Sequence, residues 1–270
     1  MVSNTDIFGR KVFFIATNNM LVPPSFMEDF CTLGYEAHII SGGSDMHSEV
    51  ISIVSQFPDS ILFFNADSDE IKTAWTTLIK EVKQERDNLL VGTVFKSAED
   101  EHAQHVEHFF GNDVSSQVGC VALSSVDKEE NFRILKDVLD RCGAKGRRNN
   151  IRALCDKSSH VLFNFEGHRH IERIEDVNIS HFRCTSTSDD FHNIKIYDKI
   201  RNANITINGL EFKSDAVLIM KRKKEGISTA IFMFIRKPDD EPGLESEFES
   251  QLNKKIYQIT SQEFINLLHR

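Results

Sequence analysis

The sequence predicts two domains, a doubly wound α/β domain followed by an antiparallel β-barrel that ends in a helix. A chain of 270 residues is long enough for two domains of ordinary size. Up to about Arg141, short apolar runs alternate with amphipathic segments, which is typical of a mostly parallel sheet covered by helices. After Gly146, polar and apolar residues alternate between turn residues, which favours a small antiparallel barrel.

Five strands and five helices are expected in the first domain. The strand-like runs are Lys11–Ala16, Glu36–Ile40, Ser60–Ala66, Leu89–Phe95 and Gly119–Ser125. The helical segments are Ser25–Gly34, His47–Phe57, Ile71–Gln84, Glu101–Phe110 and Lys128–Gly143. Ser25 is the expected N-cap of the first helix, and Gly34 is its expected stop.

The second domain contains six strand-like stretches and no amphipathic helix between them. They are His160–Gly167, His170–Ser180, His181–Thr187, Ile200–Phe212, Asp215–Lys224 and Ser228–Lys237. The acidic segment Asp239–Ser250 is interpreted as a connector, and Ser261–Arg270 as a terminal helix capped by Ser261. We therefore expect domains at 1–142 and 153–270, joined by a basic linker at 143–152.

Charge is divided unevenly along the chain. The net charge is -9. Residues 1–145 hold 12 Lys and Arg against 23 Asp and Glu, a net charge of -11, whereas residues 146–270 hold 20 against 18, a net charge of +2. The acidic first part argues against a nucleic-acid partner lying across the whole surface.

Composition also bounds the compartment and the chemistry. The five cysteines are odd in number and form no CxxC pair, which favours reduced thiols in a cytoplasmic protein. No apolar run approaches the roughly 18 residues of a membrane span, and the N-terminal segment does not resemble a signal peptide, so no membrane partner is expected. Catalytic motifs such as GxSxG, a P-loop or GxGxxG after a strand are absent, as is metal-ligand spacing of Cys and His. The sequence therefore predicts neither an enzyme nor a resident cofactor or metal.

A basic cluster lies between the two predicted domains. Lys145, Arg147, Arg148 and Arg152 fall within eight positions that contain no acid. A solvated linker is one interpretation of such a cluster. The other is a binding site, because Arg148 and Arg152 form an RxxxR pattern at the entrance to the barrel, and Asn178-Ile-Ser180 follows 26 residues after Arg152.

Together, RxxxR and Asn178-Ile-Ser180 resemble the PilZ family of bacterial cyclic di-GMP receptors. That family has RxxxR in the segment leading into its barrel and (D/N)xSxxG on the barrel strands. The resemblance covers about Gly146–Arg270 and implies a PilZ-like barrel with a terminal helix. It departs from the pattern at Arg183, which stands where the family has glycine and either blocks the ligand or adds a contact.

The resemblance implies a role for each matching residue. The main anchors would be Arg148 and Arg152, with Arg147 as a supporting charge, and Asn178 and Ser180 would be the contacts on the barrel. Guanidinium groups suit this ligand because they bind phosphate oxygens and the O6/N7 edge of guanine and stack on purines. Nucleotide would then draw the 143–152 segment onto the barrel, change how the domains pack, and present a surface to an effector protein that the sequence does not identify.

The first domain resembles a response-regulator receiver in its five-stranded α/β layout. A receiver needs an acidic pair after its first strand and an aspartate at the end of its third. Here the first strand leads into Thr17-Asn18-Asn19, and the third ends at Asn65, with Asp67 as the nearest acid. Without carboxylates to hold Mg²⁺, phosphoryl transfer lacks its electrophilic partner. We therefore expect a receiver-like pseudo-domain that accepts no phosphate.

Two alternatives stay open beside the receptor. A PilZ-like protein that binds no nucleotide, its site lost through Arg183, would act as a protein-interaction adaptor. A phosphotransfer regulator would carry phosphate on Asp67, which the missing acidic pair disfavours.

Overall fold

The computed structural model describes residues 9–41, 45–67, 69–84, 86, 88–97, 100–147, 149–186, 191, 193–237 and 239–268, with the side chains of 69–73, 100 and 101 excepted. The chain forms two compact units, which divide between Asn149 and Asn150. That boundary falls inside the predicted linker. Within the described ranges, no helix combines the length and apolar character needed to cross a membrane.

The first unit is a doubly wound α/β domain, as predicted. Its strands are β1 (Val12–Ile15), β2 (Ala37–Ile40), β3 (Ile61–Asn65), β4 (Leu90–Lys96) and β5 (Cys120–Leu123), all parallel and in the order β2-β1-β3-β4-β5. Its helices are α1 (Ser25–Thr32), α2 (Met46–Gln56), α3 (Asp69–Gln84), α4 (Asp100–Phe110) and α5 (Lys128–Arg141). This strand order is that of flavodoxin-like folds, the layout that receivers share.

Aromatic side chains fill the core of this unit. All four residues of β1 are buried, as are the first four of β3. Phe14 stacks on Phe63 of the neighbouring strand with ring centroids 5.0 Å apart, and Phe30 of α1 stacks on Phe14 from 6.3 Å. Strands covered on both faces need continuous apolar runs, which explains why β1 and β3 carry no polar alternation.

The ends of α1 correct one prediction and confirm another. Pro24 is the N-cap and Ser25 is the first helical residue, so the predicted cap at Ser25 is wrong by one position, and no side chain caps this end. The helix closes at Leu33, and Gly34 follows with φ +88°. A left-handed residue after the last turn is the usual role of glycine at a helix end, so the stop at Gly34 is confirmed.

The segment after α5 is held against the first unit. The backbone N–H of Arg10 donates to the carbonyl oxygen of Ala144 at 3.1 Å. Gly9, with φ +79°, approaches so closely that a Cβ there would lie 2.2 Å from the same oxygen. A Cβ on Gly34 would lie 2.5 Å from the carbonyl oxygen of Asn149. Ala144, Gly146 and Asn149 are therefore attached to the first unit.

The second unit is a closed antiparallel barrel of six strands, as predicted. They are β7 (His160–Phe165), β8 (His168–Val177), β9 (His181–Ser186), β10 (Lys199–Ile207), β11 (Leu210–Lys224) and β12 (Ile227–Arg236). The order is β11-β10-β7-β8-β9-β12, and pairing of β11 with β12 closes the barrel. Two short strands complete the sheet, β6 (Ala153–Leu154) on β8 and β13 (Glu241–Pro242) on β12.

The terminal helix is longer than predicted. Helix α6 spans Ser246–Leu268, so the predicted start at Ser261 is wrong, and the helix takes in the end of the expected connector. Leu252, Ile256 and Ile259 are buried along it. Ser261 lies inside the helix, and the preceding Thr260 bonds its hydroxyl back to the carbonyl oxygen of Ile256 at 3.1 Å. Such back-bonding is how hydroxyl side chains are accommodated within a helix.

Candidate functional site

Arg152 enters the barrel immediately before β6. That strand pairs antiparallel with the end of β8, Ala153 opposite Val177. Continuing this register by one residue sets Arg152 opposite Asn178, because residues on antiparallel strands advance in opposite directions. Arg152 and Asn178, which are 26 residues apart in the sequence, thus lie at one place on the barrel.

A buried carboxylate lies between the two arginines of this site. Asp176 Oδ1 is 3.3 Å from Arg152 NH1, and Asp176 Oδ2 accepts a hydrogen bond from Arg183 Nε. The Asp176 side chain is 5% exposed, whereas those of Arg152 and Arg183 are 33% and 34% exposed. Burying a carboxylate is costly unless it is paired, and here two guanidinium groups pair with one carboxylate. The triad carries a net charge of +1 and presents both guanidinium groups to solvent.

Asn178 shapes the turn between β8 and β9. Its Oδ1 accepts from the backbone N–H of Ser180 at 2.8 Å, from that of His181 at 2.8 Å and from the Ser180 hydroxyl at 2.9 Å. Its own backbone N–H donates to the carbonyl oxygen of His181 at 2.9 Å. An Asn side chain that bonds the backbone two residues on is a recurring turn device. Because Oδ1 is occupied, the amide Nδ2 is the group that Asn178 has left for a ligand.

The Ser180 hydroxyl is fully engaged. It donates a hydrogen bond to Asn178 Oδ1 and accepts one from Asn150 Nδ2 at 3.2 Å. It also lies 2.6 Å from His181 Nδ1. A hydroxyl has one proton and two acceptor positions, so these three neighbours occupy its hydrogen-bonding capacity. Asn150 lies inside the RxxxR pattern, and this bond ties that pattern to the turn.

The imidazole of His181 belongs to the same network. Partial burial, followed by the positive charge of Arg152, lowers the pKa of this imidazole.

The predicted site residues divide into three groups. Four lie together on the barrel, namely Arg152, Asn178, Ser180 and Arg183. Arg147 lines a cavity of the first unit. Arg148 lies outside the described residues.

Three residues of the site were not predicted. Asp176, Asn150 and His181 carry no motif of their own. Alternation along β8 would have set Asp176 on the same side as Asn178, and pairing across the hairpin would have set it opposite Arg183. Both inferences require the strand register, which the structure supplies.

Asp67, the acid nearest to a receiver phosphorylation position, lies among different partners. Its Oδ1 accepts from the backbone N–H of Lys96 at 2.8 Å and is 3.6 Å from His102 Nε2. Asn65 ends β3 and accepts from the backbone N–H of Asp67 at 3.0 Å. Across the described residues, no group of three or more His, Cys, Asp or Glu is arranged to hold a metal ion.

No family model and no curated protein matches the sequence. Similar solved structures match the C-terminal region. The PilZ domain of YcgR from Escherichia coli, solved with c-di-GMP, is 13% identical with a TM-score of 0.37, over 43% of this chain and 94% of that one. The C-terminal unit is similar to PilZ domains.

Two longer proteins match over the same region. Klebsiella pneumoniae MrkH, in its c-di-GMP complex, is 11% identical with a TM-score of 0.37, over 43% of this chain and 53% of that one. The Bacillus subtilis inhibitor of motility MotI is 9% identical with a TM-score of 0.32, over 44% and 52% of the two chains. The match thus spans about half the length of MrkH and MotI. Function must be sought in the residues of the site.

Proposed function

We propose that the chain is a cyclic di-GMP receptor whose binding site lies at the barrel entrance. The observation that carries this proposal is the convergence of both motif parts, since Asn150 of the RxxxR pattern bonds Ser180 at 3.2 Å and Arg152 shares Asp176 with Arg183. Cyclic di-GMP is the ligand of the solved YcgR domain and MrkH structures similar to this unit.

Arg148 and Arg152 would hold the phosphates. The guanidinium of Arg152 is one-third exposed and reaches solvent while one of its nitrogens faces Asp176. Phosphate oxygens match the fork of a guanidinium in two parallel hydrogen bonds, which a lysine does not provide. The neighbouring Arg183 leaves the triad positive, so a dianion is attracted although a carboxylate lies beneath it.

Asn178 and Ser180 would recognise a guanine. Guanine O6 and N7 are acceptors, and the amide Nδ2 of Asn178 is a donor. Ser180 meets a ligand only if Asn150 moves, because Asn150 occupies an acceptor position on its hydroxyl. Ligand binding would therefore exchange a bond within the chain for a bond to the nucleotide. Arg183 would add a cationic contact at the family's glycine position.

Binding would act on the connection between the two units. Arg148 and Arg152 flank the boundary between Asn149 and Asn150, and Asn150 itself would be displaced. The proposed consequence is a change in domain packing that a cytoplasmic effector protein detects. The nucleotide, bound to the arginines, would then hold the 143–152 segment on the barrel in place of the bond from Asn150 to Ser180.

One observation favours the second candidate, an adaptor that binds no nucleotide. Arg183 replaces the family's glycine and bonds the carboxylate that also faces Arg152. If this triad were a closed structural element, the barrel would serve as a scaffold for protein contacts.

Calorimetric titration of cyclic di-GMP into the full chain separates the two candidates. We expect micromolar or tighter binding, weakened about a hundredfold or more by Arg148→Ala/Arg152→Ala, because each lost charge-assisted bond costs about 1.5–3 kcal/mol. The matched control is Arg173→Ala, which removes an exposed arginine of β8 that faces Glu175 at 3.3 Å. GTP tests ligand selectivity. Absence of binding by a folded wild-type chain would reject the receptor.

A further inference from the structure

Four basic side chains line one cavity of the first unit. The cavity has a volume of about 540 Å³. It is lined by Arg10, Arg141, Cys142, Gly143, Lys145, Gly146 and Arg147, so it contains no acidic lining residue among those described. Three of the four basic residues come from the end of α5 and the segment that follows it, and the fourth precedes β1.

The basic side chains of this cavity form no ion pair with a carboxylate in the described part of the chain. None of its four basic side chains is within 4.0 Å of a described carboxylate oxygen. Asp140 interacts electrostatically with Lys145. Its two carboxylate oxygens, however, accept hydrogen bonds from Tyr35 and from Lys136, the latter at 2.7 Å. Like charges gathered in one cavity repel, and an anion would relieve that repulsion.

The cavity has a fixed wall. Arg10 NH1 donates to the carbonyl oxygens of Asp59 at 2.8 Å and Asn88 at 2.7 Å, which holds the guanidinium in place while leaving its charge intact. The segment that carries Lys145 and Gly146 is held by the bond from Arg10 N–H to the carbonyl oxygen of Ala144 and by the close approach of Gly9 to Ala144 and Gly146. A cation that is already positioned loses little conformational entropy when an anion binds.

We propose that this cavity is a binding site for a phosphate-bearing small molecule. Guanidinium and ammonium groups together provide both directed donors and mobile charge, a combination suited to phosphate oxygens. The volume exceeds that of a single phosphate and accommodates a diphosphate or the phosphate end of a nucleotide. The site belongs wholly to the first unit, and Arg147 is the one lining residue that it shares with the residues predicted to bind cyclic di-GMP.

The test measures binding of sodium pyrophosphate, inorganic phosphate and GTP to the full chain by calorimetry. The cavity variant is Arg141→Gln/Lys145→Gln. Its matched control, Lys128→Gln/Arg133→Gln, removes two positive charges from α5 outside the cavity. We expect pyrophosphate affinity to fall at least tenfold in the cavity variant and to change less than twofold in the control. Tighter binding of GTP than of pyrophosphate would indicate a nucleotide site. Equal affinity for the two compounds would indicate a site for free diphosphate.

Two results would overturn the proposal. One is that no phosphate compound binds the wild-type chain at millimolar concentration, and the other is that both double variants lose affinity equally. Cyclic di-GMP titrated into the same variants keeps the two proposals apart. Loss of pyrophosphate binding with retained cyclic di-GMP binding in the cavity variant supports the cavity site. If Arg152→Ala alone abolishes pyrophosphate binding, the anion binds at the barrel and the cavity proposal is rejected.

Discussion

Asp176 and Arg183 face each other across the β8–β9 hairpin, and the arginine donates its Nε proton to the buried carboxylate. The same carboxylate faces Arg152 at 3.3 Å. Arg183 therefore competes with Arg152 for Asp176. Arg183 thus adds a positive charge and weakens the attraction of the carboxylate for the proposed ligand residue Arg152.

Replacing Asp176 with Asn should tighten cyclic di-GMP binding and destabilise the barrel. The amide keeps the shape of the carboxylate but no longer attracts Arg152 or repels phosphate, so we expect roughly a tenfold gain in affinity. Two arginines lose their partner, and the free energy of unfolding should fall by about 1–2 kcal/mol. Calorimetry and urea denaturation measure the two effects.

Asp215→Asn is the matched control for that substitution. Asp215 is a buried carboxylate of the same barrel, bonded to Arg201 at 2.7 Å, and it lies outside the proposed site. The Asp215→Asn variant should be less stable than the wild-type chain but should bind cyclic di-GMP with unchanged affinity. An equal affinity gain in both variants would indicate a general charge effect and contradict the assignment to Asp176.

Replacing Arg183 with Met should have the opposite effect on binding. Methionine keeps the aliphatic bulk but leaves Asp176 to Arg152 alone, so we expect about a tenfold loss of affinity. The double variant with Asp176→Asn should recover much of that loss, with a coupling of about 1–2 kcal/mol. Tighter binding by Arg183→Met would mean instead that Arg183 fills ligand space.

The fold was largely predictable because its elements have strong local patterns. Each strand of the first unit is an apolar run of a few residues between amphipathic segments, and observed ends lie within two residues of the predicted ones. Helix α6 was not predicted from its true start. Leu252, Ile256 and Ile259 do recur at helical spacing, but Ser261 was interpreted as the N-cap, and it lies inside the helix.

The site was predicted only as far as residues carry a motif. Arg152, Asn178, Ser180 and Arg183 could be named from the sequence, but the partner that joins both arginines could not. Asp176 lies on β8, which pairs with β6 on one side and with β9 on the other, and these two pairings bring Arg152 and Arg183 to the same carboxylate. Such pairings depend on register, including the irregularity in β8 between Ile174 and Asp176. Sequence spacing alone does not determine that register.

Asn178 should tolerate aspartate but not alanine. Alanine removes the acceptor of three hydrogen bonds in the β8–β9 turn, and we expect the free energy of unfolding to fall by about 2 kcal/mol. Aspartate keeps an acceptor at the same position and should remain within about 0.5 kcal/mol of the wild-type chain. Urea denaturation followed by circular dichroism checks both. Equal stability of Asn178→Ala and Asn178→Asp would show that the turn does not need the side chain.

Acid should destabilise the first unit through His38. Burial, and then the charge of Lys11, lowers the pKa of this imidazole to about 3 in the folded chain, against about 6.5 when unfolded. As the pH falls below about 6.5, the unfolded chain takes up a proton that the folded chain does not. The free energy of unfolding should therefore fall by up to about 1.4 kcal/mol per pH unit from this group.

His38→Phe should flatten that dependence between pH 7.5 and 5. Phenylalanine can keep the stacking on Phe13, whose ring centroid lies 5.7 Å from that of His38, and it takes up no proton. Fluorescence of Trp75, the single tryptophan of the chain and a buried residue of the first unit, reports the transition. His47→Gln removes an exposed histidine of the same unit and should follow the wild-type curve. If His38→Phe were as acid-sensitive as the wild-type chain, other groups would have to account for the dependence.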